Sequence, residues 1–142
     1  MPYAVPVVDP LMLAERLVGL PYVPGECDCG TLAVRAAREV FGREVTLPQA
    51  ALAARTAREQ GLAIAAGRRE MATPVAQPQP GDVALFWEVI GPQARQWHLA
   101  TVVTVHPFMW LLHTREHWGS QLHRLGDMRR WGLHLDGWYR WN

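Results

Sequence analysis

The sequence predicts an α+β domain in which N-terminal helices pack on a C-terminal antiparallel β-sheet. Three observations lead there. Up to about residue 71 the apolar residues recur at helical spacing, and beyond a proline-rich stretch their period drops to two. Helices come first and strands afterwards, without the β–α alternation that builds a parallel sheet. At 142 residues the chain is expected to form one domain over 1–142, with no internal repeat or low-complexity tract. A chain of that size buries roughly two-thirds of the surface it exposes when unfolded.

Each element has a local cause. Asp9-Pro10 is an N-cap followed by proline in the first turn, opening a helix over 10–18 that Gly19 ends. Residues 21–28 read as a loop. Cys29 then opens an amphipathic helix to about Phe41, stopped at Gly42. At 100° per residue, Cys29, Leu32, Ala33, Ala36, Ala37, Val40 and Phe41 share one side of it, and Thr31, Arg35, Arg38 and Glu39 the other. An Ala-rich helix fits 48–60, stopped at Gly61, with a shorter helical piece over 62–71. Pro74, Pro78 and Pro80 mark the passage from helix to strand. Strands are expected over 82–87, 97–105 and 108–114, with two shorter ones within 121–125 and 133–141. The seven Trp all fall from Trp87 onward, as core material or as the lining of a cleft or interface.

Composition excludes several functions. With 14 basic and 13 acidic residues, and no Lys, nothing marks a nucleic-acid or anionic-membrane surface. No apolar run reaches the ~18 residues of a membrane span, and the N-terminus lacks the basic region and apolar core of a signal peptide. Cys27 and Cys29 are one residue apart, so a bridge between them would be strained and no structural disulfide is expected. Zinc knuckles space their cysteines by two to four residues and repeat the pair, which this chain does not. No metal and no organic cofactor is expected.

Chemistry concentrates at Cys29. At a helix N-terminus, unpaired N–H groups and the helix dipole favour a thiolate, and lower a cysteine pKa from about 8.5 into a range of roughly 3.5–7.5. His98 opens the second main strand and His113 closes the third. With Val105-His106-Pro107-Phe108 as a tight connection, His98 lies opposite Arg115 and His113 opposite Ala100. The two histidines are then same-face diagonal neighbours with Cα atoms about 7–8 Å apart. Ala100, Val102 and Thr104 follow His98 on that face and leave room for the Cys29 helix. A Cys–His pair with a second His orienting the first is thereby available. His106, His117, His123 and His134 fall in loops or short end elements and read as surface or structural.

Taken in order, several segments resemble the NlpC family of cell-wall cysteine peptidases, most closely the short forms carried in bacteriophage tail modules. Gly-Leu-Pro-Tyr22-Val-Pro-Gly resembles the approach to that family's nucleophile, and Asp28-Cys29 its Asp-Cys dipeptide. Phe41-Gly42 with Leu47-Pro48 matches the end of the nucleophile helix, and Pro80-Gly81-Asp82 with Val83-Ala84-Leu85-Phe86 the opening of a strand. His98-Leu-Ala-Thr-Val-Val resembles the strand of the base, Leu111-Leu-His113 that of the third polar residue, and Gly137-Trp-Tyr-Arg140 the chain end. Two departures stand close to the site. Gly30-Thr31 follows the cysteine where Ser-Gly or an aromatic-Gly is usual, and Ala100 replaces a glycine.

The resemblance implies a papain-like fold and a peptidoglycan endopeptidase. In it Cys29 attacks an amide carbonyl, His98 takes and returns the proton, His113 orients His98, and backbone N–H groups with the Tyr22 hydroxyl hold the oxyanion. It further implies a stem-peptide substrate, other phage tail proteins as partners, and a place in the virion after synthesis in the host cytoplasm. The alternative is a catalytically silent papain-like component of a tail tip or baseplate, which the Gly30-Thr31 departure and the Trp content favour.

Overall fold

The computed structural model describes residues 9–92 and 94–142. Helices precede a six-stranded antiparallel sheet, as expected of an α+β chain. Helix α1 (Pro10–Glu15) starts where Asp9 accepts a hydrogen bond from Leu11 N, and is shorter than 10–18 because residues 16–19 continue as turns. Helix α2 (Cys29–Phe41) has the expected bounds. A capping box explains its start: Asp28 Oδ1 accepts from Thr31 N, and Thr31 Oγ1 accepts from Asp28 N. Gly42, at φ 65°, explains its end. Thr31 therefore has a local structural reason to follow the Cys29-Gly30 pair.

The expected helix over 48–60 is instead two, α3 (Gln49–Leu52) and α4 (Ala57–Met71). Thr56 breaks it, accepting from Glu59 N at 3.1 Å and so capping a fresh start. Gly61 does not stop a helix; it lies inside α4. A Cβ there would sit 2.6 Å from the Trp97 carbonyl oxygen, so glycine is what lets α4 lie directly on the sheet.

The sheet runs β1-β6-β2-β3-β4-β5, with every neighbouring pair antiparallel. Strand β1 (Ala72–Val75) holds Pro74 and falls where only a change from helix to strand was expected; it is tolerated because it is outermost and pairs with β6 alone. The others are β2 (Val83–Val89), β3 (Arg95–Thr104), β4 (Trp110–Arg115), β5 (Gly119–Arg124) and β6 (His134–Trp141). A short helix, α5 (Leu125–Arg130), joins β5 to β6. The β3–β4 connection is longer than the tight turn expected, because Thr104 pairs with Trp110 rather than Val105 with Phe108. An irregularity between Val102 and Thr104 absorbs one residue, so Thr101 still meets Leu112 in the expected register.

The core decides which sheet face carries which helix. Val83, Leu85 and Leu99 pack with Cys29, Ala33 and Ala37 of α2 and with Ile64 of α4. Leu32 and Ala36 of α2 meet Val103 and Leu112 beside Ala14 and Leu17. The opposite face, with Ala84, Phe86, Ala100, Val102 and Leu111, is closed by Met128 and Leu133. The expected docking of α2 over Ala100 and Val102 is thus reversed. The helix supplies the small residues and the sheet the large ones, and the bulky face of β3 and β4 meets the Ala stripe. Trp141 is core, whereas Trp118 is 67% exposed, so the C-terminal tryptophans divide between core and surface.

Candidate functional site

Cys29 is the first residue of α2 and is only 7% exposed. Two of the first three N–H groups of the helix are already taken: Asp28 Oδ1 accepts from Thr31 N at 2.9 Å, and Gln60 Oε1 from Gly30 N at 3.0 Å. Among the described residues no acceptor takes the Cys29 N–H. The thiol itself donates to Gln60 Oε1 at 3.3 Å. Gln60 comes from α4, is 2% exposed, and was not singled out from sequence. Gly30 makes room for it, since a Cβ there would lie 3.2 Å from the Gln60 amide and 2.8 Å from Leu47 Cδ1.

Burial overrides the helix terminus. Loss of solvent pushes the Cys29 thiol up to about 12, with Asp28 adding to the rise; the N–H groups of Leu99, Gly30 and Cys29 itself pull the other way and lose. The expected thiolate is therefore corrected to a neutral thiol. Cys27, half-buried, is raised as well, chiefly by burial, while Arg35 opposes the rise.

His98 and His113 meet as expected. His98 Nε2 and His113 Nδ1 are 2.8 Å apart, with the rings at 88°. The chain continues: His113 Nε2 and His123 Nδ1 are also 2.8 Å apart. His123, expected to be surface or structural, is thus the third imidazole in a row. Its signal lay in the register. Gln121 pairs with His113, so His123, two residues on, is the diagonal neighbour on the same face. His123 and Trp131 meet edge to face, with ring centroids 4.4 Å apart and planes at 90°. Burial, then the Arg115 cation, lowers His98 to about 3. His113 is held well below the ordinary value by burial and by the charges of His98, His123 and Arg115. His123 is lowered by burial, with Asp127 opposing.

One cavity of about 150 Å³ brings Cys29, His98 and Tyr22 together, along with Glu88, Thr114 and Arg115. The expected nucleophile, base and oxyanion tyrosine therefore share a space. Cys29 and His98 are nevertheless not hydrogen-bonded: the thiol goes to Gln60, and His98 Nε2 to His113. Strand alternation accounts for this. His98 leaves β3 on the face of Ala100 and Val102, and Cys29 packs with Leu99 on the other. The β3–β4 ladder ends at Thr101 and Leu112, and beyond that rung the two groups reach the same cavity. Arg115 pairs with Glu88 at 3.2 Å on the wall. Thr114 Oγ1, also on the wall, has no partner among the described residues.

Burial and the neighbouring thiol raise the Tyr22 hydroxyl, so it stays a donor at neutral pH. Among the described residues no three His, Cys, Asp or Glu side chains are placed to hold a metal ion. No described helix is long and apolar enough to cross a membrane. Compared with known proteins, the chain matches no family model and no curated protein.

Proposed function

We propose that the chain is a cysteine peptidase of the NlpC type, with a papain-like fold, that cleaves amide bonds of peptidoglycan stem peptides from within a phage tail. The observation that carries the reading is the shared cavity: a thiol at a helix N-terminus opens on it together with an imidazole already hydrogen-bonded to a second imidazole. With Nε2 committed to His113, Nδ1 is the nitrogen of His98 that remains to act as the base. In the reaction Cys29 Sγ leaves Gln60 and attacks the carbonyl carbon while His98 Nδ1 takes its proton. That proton then goes to the leaving amine, and water hydrolyses the thioester. His113 orients His98. The free Cys29 N–H and the Tyr22 hydroxyl stabilise the oxyanion. Because thiol and imidazole start neutral, the proton moves during attack rather than beforehand.

The test is release of fragments from purified peptidoglycan by the wild-type chain, with Cys29→Ser and His98→Ala beside it. Release that both variants abolish is expected. No release by a folded wild-type chain, or wild-type rates in either variant, rejects the peptidase. A second reading, a catalytically silent tail component, is favoured by one observation, the thiol held on Gln60 and pushed up to about 12. It requires the chain in purified virions, as seen by mass spectrometry, together with no turnover.

A further inference from the structure

The row of imidazoles does more than orient one base. His98 Nε2 meets His113 Nδ1, and His113 Nε2 meets His123 Nδ1, both at 2.8 Å. Each contact holds a single proton, so the three neutral rings have two consistent arrangements. In one, every ring is protonated on Nε2, each bond points from His98 toward His123, and His98 Nδ1 is bare. In the other, every ring is protonated on Nδ1, the bonds point back, and His98 Nδ1 carries a proton. Only the first leaves His98 able to accept a proton in the cavity. The far end decides whether the first is open: a neutral His123 permits it, protonated on Nε2, and a charged one excludes it. A protonated His123 carries hydrogen on both nitrogens, must donate from Nδ1 to His113 Nε2, and so forces the second arrangement on the whole row.

We propose that His123 is a positioning residue whose protonation state sets the tautomer of His98, and that it is the end of the row to which the proton charge is passed. The step balances. A proton arriving at His98 Nδ1 releases the one on His98 Nε2 to His113 Nδ1, and His113 Nε2 releases its own to His123 Nδ1. One proton has entered, and the single positive charge rests on His123.

The surroundings favour that end. His98 and His113 are buried, whereas His123 is partly exposed. His123 is faced by His113 from β4 and by Asp127 from α5, with the Trp131 ring perpendicular to it. Asp127 has Arg130 at 4.0 Å. The inner rings feel Arg115, a cation paired with Glu88, which disfavours charge on them. Of the three, His123 is the ring to charge first.

Ring-nitrogen NMR on the full chain carrying ¹⁵N-labelled histidine tests this without any substrate. Above the His123 titration, His98 and His113 should be protonated on Nε2. As His123 takes its proton, both should switch to Nδ1 in the same step while staying neutral. In His123→Gln, which can accept the same hydrogen bond but cannot charge, that step should vanish; His123→Phe serves as a second variant should Gln disturb the fold. His98 protonated on Nδ1 at all pH values, or a switch that survives in both variants, overturns the proposal. A second arm rests on the peptidase reading. With a stem tripeptide as probe, the acid limb of kcat should follow the His123 titration and move to lower pH in His123→Gln. There kcat should fall about tenfold with KM unchanged. A fall in kcat with the limb unmoved marks a merely structural role and overturns it. If wild type turns nothing over, the peptidase reading fails, and the NMR arm still decides this one.

Discussion

At the scale of single residues the site is governed by burial. A helix N-terminus is worth about 0.3–1 kcal/mol to a nearby charge, up to ~2 kcal/mol in partly buried geometry. Desolvation of a fully enclosed thiolate costs more than that, and two of the N–H groups that would offset it serve Asp28 and Gln60. Reactivity should follow. Cys27 is half-buried, and Cys29 is enclosed with its thiol held on Gln60, so iodoacetamide at pH 7 to 8 should label Cys27 first and Cys29 more slowly, the Cys29 rate rising with pH. Peptide mapping after timed quenching measures the ratio, and Cys29 labelled ahead of Cys27 at pH 7 contradicts it. Gln60→Leu should remove the acceptor of both Gly30 N and the thiol. Leaving a buried N–H unpaired should cost about 1–3 kcal/mol of stability, measurable as a lower urea midpoint. An unchanged midpoint would show that water replaces the amide.

At the scale of elements, the close fit of α4 on β3 rests on Gly61. Gly61→Ala drives a methyl to 2.6 Å from the Trp97 carbonyl, which is backbone and cannot swing aside. Overpacking of this kind should lower stability by about 1–3 kcal/mol, whereas Ala at an exposed mid-helix glycine would raise it; a denaturation midpoint at or above wild type contradicts the close approach. The same glycine shows where local signals ran out. Asp28, Thr31 and Gly42 fix α2 by capping alone, so its bounds were legible in the sequence. Gly61 carries a stop signal that tertiary contact overrides, and Thr56 carries the start that matters. The histidine register was legible too, although from a turn that does not form; the irregularity at Val102–Thr104 restores the same pairing. The face on which α2 docks was not legible. Small residues on either partner permit close packing, and only the assembled core shows that Met128 and Leu133 fill the other side. His123 stayed hidden because β5 reads weakly by itself, and its place depends on the β4–β5 pairing.

At the scale of the whole molecule, the buried imidazoles and the buried thiol set a window of pH stability. His98 is lowered from 6.5 to about 3 in the folded chain, and His113 in the same direction. A depressed folded pKa means that the unfolded chain binds protons first. Stability is therefore full above pH 6.5 and falls as pH drops below that toward the folded value. Cys29 is raised from 9.0 to about 12, so the unfolded chain ionises first there, and stability falls as pH rises from 9 toward 12. Each shift of this size corresponds to a few kcal/mol, on the order of a third of the ~5–15 kcal/mol by which a domain is folded. Between pH 6.5 and 5 ordinary carboxylates, with pKa values of about 4, have barely begun to titrate. The loss in that interval thus belongs to the histidines. Urea midpoints should be level from pH 7 to 9 and decline from 6.5 to 5. The decline should be shallower in a folded His98→Gln, His113→Gln double variant, whose amides carry no charge at any of these pH values. A midpoint that stays level down to pH 5 in wild type would mean that His98 and His113 themselves take up protons in the folded state without cost, and that these two imidazoles are less enclosed than their 8% and 3% exposures imply.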